Sequence, residues 1–118
     1  MRALRGATTL DADTTEQMRD RVQALLAEML DRNEVKQEDI ISIVLTATED
    51  IASMFPATAA RELGLDDVPL LGARELTIDG APARCVRILM HLTTDRARNE
   101  LQHVFLHGAT TVRDDLRR

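Results

Sequence analysis

A chain of 118 residues with 44% hydrophobic content and a net charge of −5 has the size of a single domain, residues 1–118; it can bury a core but leaves much surface exposed as a monomer, so self-association is expected. With no Trp or Tyr and only Phe55 and Phe105 as aromatic residues, the core is aliphatic and base stacking on single-stranded nucleic acid is argued against, as is a nucleic-acid or anionic-membrane surface by the acidic balance. The longest apolar run, Ile40 to Leu45, is broken by Ser42 and too short to span a bilayer, no signal-like apolar region opens the chain, and Cys85 has no cysteine to pair with, which together point to the cytoplasm.

In chain order, residues 2 to 9 read as a first strand. Thr14 with Gln17 three residues on makes a capping box, and Met18, Val22, Leu25, Leu26, Met29 and Leu30 then recur at helical spacing until Asn33. Lys36 to Asp39 is expected to form one turn, followed by a β-branched strand from Ile41 to about Thr48. Pro56 suits the first turn of a short helix that stops at Gly64. Val68 to Leu71 and Arg74 to Ile78 read as strand segments broken at Gly72, and Asp79-Gly80 as a hairpin turn before a strand from Ala83 to Thr93. Thr94-Asp95 would cap a polar helix to about Gln102, and Val104 to Leu106 with Thr110 to Val112 would close the chain as an interrupted strand. The order β-α-β-α-β-β-α-β predicts an α+β fold, a mixed sheet with helices packed on one face.

Three arginines stand out from this frame: Arg5 in Arg5-Gly6-Ala7-Thr8-Thr9, Arg61 behind Phe55-Pro56-Ala57, and Arg87 in Cys85-Val86-Arg87-Ile88-Leu89-Met90. A guanidinium flanked on both sides by buried-strand residues is costly unless an anion meets it, so Arg87 points to an anionic partner. Since the whole chain is acidic, the anion site must be local.

Those residues, in their order, resemble the small monofunctional chorismate mutases of the AroH class. The likeness rests on Arg5 to Thr9, Thr46-Ala47-Thr48-Glu49-Asp50, Phe55-Pro56-Ala57, Val68-Pro69-Leu70 with Glu75, Arg87 on its apolar strand, and His103 to Leu106 before Val112-Arg113. It implies an isomerase of aromatic amino acid biosynthesis that needs no cofactor or metal and rearranges chorismate to prephenate. It also implies a homotrimer resembling a pseudo-α/β barrel, with sites in clefts between subunits. By motif position Arg87, Glu75 and Arg5 would be the catalytic set from one subunit, and Phe55, Ala57 and Arg61 would be offered by its neighbour. Leu70, Gly72 and Phe105 would line the pocket, and Val112 and Arg113 would stand at the root of a mobile C-terminal tail, residues 113–118. The chain departs from the family pattern at Thr58, where relatives can carry lysine, at Phe105, where many carry tyrosine, and at Gly72, where some carry cysteine.

Other features have plainer readings. His103 and His107 have the i, i+4 spacing of a metal pair, but in a strand that spacing does not bring ligands together. Cys85 reads as a small buried hydrophobe. Two alternatives remain at this level: a trimeric imine or enamine deaminase that clamps a carboxylate with arginine, and a non-catalytic module that binds an aromatic amino acid.

Overall fold

The computed structural model of the chain describes residues 1–111. Strand β1 (Arg2–Thr9) leads into helix α1 (Thr15–Arg32), a 3₁₀ turn at Gln37–Asp39, β2 (Ile40–Ala47), α2 (Pro56–Glu62), β3 (Leu70–Arg74) and β4 (Cys85–Leu92). A 3₁₀ turn at Arg98–Glu100, the short β5 (Val104–Phe105) and a 3₁₀ segment at His107–Thr111 complete it.

The five strands form one sheet in the order β3-β2-β4-β1-β5. Strand β4 runs antiparallel to both β1 and β2, whereas β2–β3 and β1–β5 are parallel pairs. The connections β1-α1-β2 and β2-α2-β3 therefore both step the same way across the sheet. Crossovers of one hand taken in one direction place their helices on the same face, which is why α1 and α2 share a side. The fold is the expected α+β arrangement.

Strand alternation divides the sheet cleanly. Leu4, Ile43, Leu45, Val86, Ile88, Met90 and Leu92 point toward the helices and join Met18, Val22, Leu25, Leu26 and Met29 of α1 and Ala59 and Ala60 of α2 in one buried cluster. Gly6 lies where a Cβ would stand 2.5 Å from Met29 Sδ, so its missing side chain is what lets α1 sit close to β1. The opposite face carries Arg5, Ala7, Val44, Thr46, Arg87 and Leu89; among the described residues no α-helix lies over it, and the 3₁₀ segment at His107–Thr111 covers only its Ala7 end through Ala109.

Two buried polar side chains tie the layers together. Arg21 of α1 donates to Thr9 O at 2.6 Å and to Asp11 at 2.8 Å, fixing the turn out of β1. Asn33, at the end of α1, donates to Met29 O and Gln102 O and accepts from Gln102 N, acting as a stretch of strand backbone would.

Several expectations for the second half are corrected. Strand β3 runs through Gly72 and ends at Arg74, and residues 75–78 are not a strand. Asp79-Gly80 does turn, with Gly80 at φ 85°, but β3 pairs with β2 and β4 is inserted between β2 and β1, so no β3–β4 hairpin exists. The helix expected after Thr94-Asp95 is one 3₁₀ turn, because Arg96 to Glu100 offers no apolar stripe to hold a longer helix down. The closing strand shrinks to Val104–Phe105, and Thr110 lies in a 3₁₀ segment instead; Val112 and residues 113–118 lie outside the described residues. At the start of α1 the Thr14 side chain accepts from Gln17 N as expected, but the Gln17 side chain reaches back past the cap to Asp11 N.

Candidate active site

The open face of the sheet holds a hollow of about 350 Å³ lined by Arg5, Gly6, Ala7, Val44, Thr46, Arg87, Ile88, Leu89 and Phe105. Its two cations come from adjacent strands: Ala7 is the register partner of Arg87, and Leu89 that of Arg5, which makes the arginines diagonal neighbours on one face. Two guanidinium groups so placed repel one another unless an anion lies between or beside them.

Glu75 meets that need in part. The chain leaves the sheet at the end of β3, with Glu75 N still bonded to Ala47 O, and the side chain crosses to the open face. There Thr46 Oγ1 donates to Glu75 Oε2 at 2.6 Å, and Arg87 Nε lies 3.1 Å from Glu75 Oε1. The second contact is Coulombic rather than a hydrogen bond. Although within ion-pair distance, the buried Nε–H is not aimed at the carboxylate and has no acceptor among the described residues. The side chains are partly covered, 32% exposed for Arg87 and 17% for Glu75, so the pair lies half in water and half in protein.

Arg5 is fixed through its backbone, whose N–H donates to His103 Nδ1 at 3.0 Å. That bond uses the histidine lone pair a metal would need on that nitrogen. His107 sits apart at the start of a 3₁₀ segment with φ 54°. Phe105 forms the floor of the hollow. It lies opposite Ala7 in the β1–β5 pair and packs on Ala7 and Ala109.

A second hollow, of about 500 Å³, opens on the helix side around the β3 edge. Phe55, Ala57, Arg61, Leu70 and Gly72 line it, together with Met54, Leu71 and Arg74. Pro56 starts α2 and points Arg61, one and a half turns on, toward this mouth, where Arg61 Nη2 donates to Thr58 Oγ1 at 3.2 Å. Phe55 stands 77% exposed at the rim, an aromatic side chain with little of its own chain against it. Gly72 has room for a side chain, since a Cβ there would meet only Leu45 O at 3.8 Å.

The expected site residues are thus gathered into two groups on opposite faces of one sheet. Arg5, Glu75, Arg87 and Phe105 form one, and Phe55, Ala57, Arg61, Leu70 and Gly72 the other. Val112 and Arg113 lie outside the described residues. The sequence did not single out Thr46 or Arg74, although Thr46 opens the quoted Thr46-Ala47-Thr48-Glu49-Asp50 run and Arg74 precedes Glu75.

Two groups near the site are shifted in ways that stabilise its frame. Burial raises the Cys85 thiol above its ordinary value, outweighing the nearby Arg87 charge, so it stays a neutral core side chain. Burial also raises Asp50, but hydrogen bonds from Thr48 Oγ1 and the Arg84 backbone N–H outweigh it and leave this carboxyl below the usual value. Asp50 thereby pins Arg84 at the entry to β4, three residues before Arg87.

The family comparison agrees with this geometry. Residues 1–116 match the family described as chorismate mutase type I. Over 117 residues the chain is 39% identical to chorismate mutase AroH of Thermus thermophilus, covering 98% of this chain and 96% of that one. It is 36% identical to chorismate mutase AroH of Bacillus subtilis, covering 98% and 92%. A solved chorismate mutase from Clostridium thermocellum superimposes with a TM-score of 0.90 at 38% identity, over 93% of this chain and 98% of that one. Neither the deaminase reading nor the amino-acid-binding reading is favoured by these matches, and the chain belongs to the chorismate mutase type I family.

Proposed function

We propose that this protein is an isomerase of aromatic amino acid biosynthesis that converts chorismate to prephenate at sites shared between subunits of a cytoplasmic homotrimer. The observation that carries the reading is the half-covered Arg87–Glu75 pair beside Arg5 on the face of the sheet opposite α1 and α2, in a chain that matches the chorismate mutase family over residues 1–116.

The reaction is intramolecular. The ether C–O bond breaks as a new C–C bond forms, so it calls for no nucleophile and no net proton transfer. It needs the diaxial conformer held compact, and it needs compensation for negative charge growing on the ether oxygen. Arg87, whose side chain is 32% exposed and lines the hollow, supplies the donor to the ether oxygen and an adjacent carboxylate. Arg5 takes a carboxylate through its planar fork. Glu75, oriented by Thr46, accepts from the ring hydroxyl and sets the direction of Arg87. The floor of Phe105 and the walls of Val44 and Leu89 lower the local dielectric, so each charge contact counts for more than in water.

The division of the residues into two groups supports a site completed by a neighbour. The group holding Arg87 is rich in charge and lies open, and the group holding Phe55, Ala57 and Arg61 presents an exposed aromatic rim. Docking the second group of one subunit on the first group of the next joins three arginines and one glutamate around a dicarboxylate. Leu70, Gly72 and Phe105 then line the enclosure, and Val112 and Arg113 are assigned to its closure by motif position alone.

The test is loss of chorismate absorbance with the wild type and with Arg87→Ala, circular dichroism confirming that the variant is folded. We expect wild-type turnover to prephenate and a fall in kcat of at least about 10²–10³-fold in the variant, the usual cost of removing one preorganised donor. Absence of wild-type turnover would reduce the likeness to a shared scaffold.

A further inference from the structure

The hollow under α2 has an unusual charge content. Of the residues that line it, only Arg61 and Arg74 are charged, and the rest of the wall is apolar apart from Thr48. Elsewhere in this acidic chain five arginines stand against carboxylates, Arg19 with Glu62, Arg21 with Asp11, Arg32 with Glu28, Arg87 with Glu75 and Arg96 with Glu34, while Arg2 and Arg84 donate to backbone carbonyls. Among the described residues no carboxylate pairs with Arg61 or Arg74, and Arg61 is turned instead toward the neutral Thr58 hydroxyl. Two like charges beside Phe55, Leu70 and Met54, with no acidic side chain in the wall, make a place where an anion gains more than it would in water.

Register shows how Arg74 comes to be there. It is paired with Ala47, as Gly72 is with Leu45, so it rises from the edge strand on the helix side, in line with Gly72. Glu75, the next residue, crosses to the other face and meets Arg87. One strand end thus delivers a cation to the hollow of Arg61 and an anion to the hollow of Arg87.

We infer that Arg74 is a further substrate-binding residue, which joins Arg61 in holding a carboxylate of a dianionic substrate at the mouth of the shared site. The substrate class rests on the mutase reading; the anion contact does not. Arg74 contributes to binding the ground state and the transition state alike, since it stands away from the Arg87 group where charge develops. Its loss therefore falls on KM rather than kcat.

The experiment compares wild type, Arg74→Gln and Arg74→Lys by steady-state kinetics on chorismate and by calorimetric titration with prephenate. Arg74 is exposed, so the fold should tolerate both changes. The expected result for Arg74→Gln is a rise of about ten-fold in both KM and the prephenate Kd, with kcat within about two-fold of wild type and most of the loss recovered in Arg74→Lys. Values of KM and Kd within about two-fold of wild type in Arg74→Gln overturn the inference. A wild type that binds prephenate without turning chorismate over ends the mutase reading but leaves the contact to be decided by calorimetry. A wild type that binds no prephenate overturns both.

Discussion

Glu75 is held from two sides, by the Thr46 hydroxyl at 2.6 Å and the Arg87 guanidinium at 3.1 Å, and this decides what it offers a ligand. A carboxylate hydrogen-bonded at one oxygen, with a guanidinium within ion-pair distance of the other, is an acceptor of set direction and not a mobile base. Thr46→Val keeps the branched shape on β2 and removes only the donor. A hydrogen bond to a charged group contributes about 1.5–3 kcal/mol, so kcat/KM should fall roughly 10–100-fold and the melting temperature by several degrees. Steady-state kinetics with a thermal melt reads both, and full activity in Thr46→Val would mean that Arg87 alone orients Glu75. Arg87 was legible in the sequence because strand alternation shows a charge among apolar neighbours. Its partner Glu75 was named by motif position through the family resemblance and by no local pattern. Glu75 lies past the end of β3, and its contact depends on β3 pairing with β2, which no local pattern encodes. Arg21 and Asn33 escaped notice for a related reason, since each sits in a helix or at its end with partners far off in sequence.

The elements whose signals were complete in a short window came out as the pattern predicted. Helix α1 has a cap, an apolar stripe and a stop, and α2 has Pro56 at its start and Gly64 beyond its end. Where the signal covered only half of a structure it misled. Asp79-Gly80 carries turn chemistry, but a hairpin also needs two strands that pair, and β4 pairs with β1 and β2 instead. Thr94-Asp95 resembles a cap with no helix worth capping behind it. The second half of the chain is accordingly held by specific contacts more than by regular structure, and Asn33 is chief among them. Its amide satisfies both the N–H and the C=O of Gln102, just before His103 and Phe105 enter the site. Asn33→Ala removes both bonds to part-buried backbone groups, at about 0.5–1.5 kcal/mol each, so we expect a loss of about 1–3 kcal/mol in stability, seen as a fall of several degrees in Tm. Hydrogen exchange should show the added opening concentrated at residues 102–106; exchange raised uniformly over the sheet would argue against a local role.

At the scale of the whole molecule, the exposed Phe55 and the face bearing Leu89, 36% exposed, are the surfaces that the proposed trimer would bring together. The α+β class and the single face of helices were legible because connection order and handedness determine them. The division of the site followed from the family resemblance alone, because residues far apart in sequence are grouped by faces that exist only once the sheet is built. That division makes a sharp prediction. Arg87→Ala impairs one half-site and Arg61→Ala the other, and in a closed ring each site takes one half from each of two neighbours. When the two impaired variants are unfolded together, refolded at equal concentration and assayed, random assembly gives about one site in four with both halves native. Activity should therefore return to roughly a quarter of wild type, far above either variant alone, and should decline as one variant is made to dominate the mixture. A site contained within a single subunit cannot be restored by mixing, since every subunit would still carry its own defect. Activity of the mixture equal to the average of the two variants would place both arginines in one chain's pocket, against the arrangement proposed here.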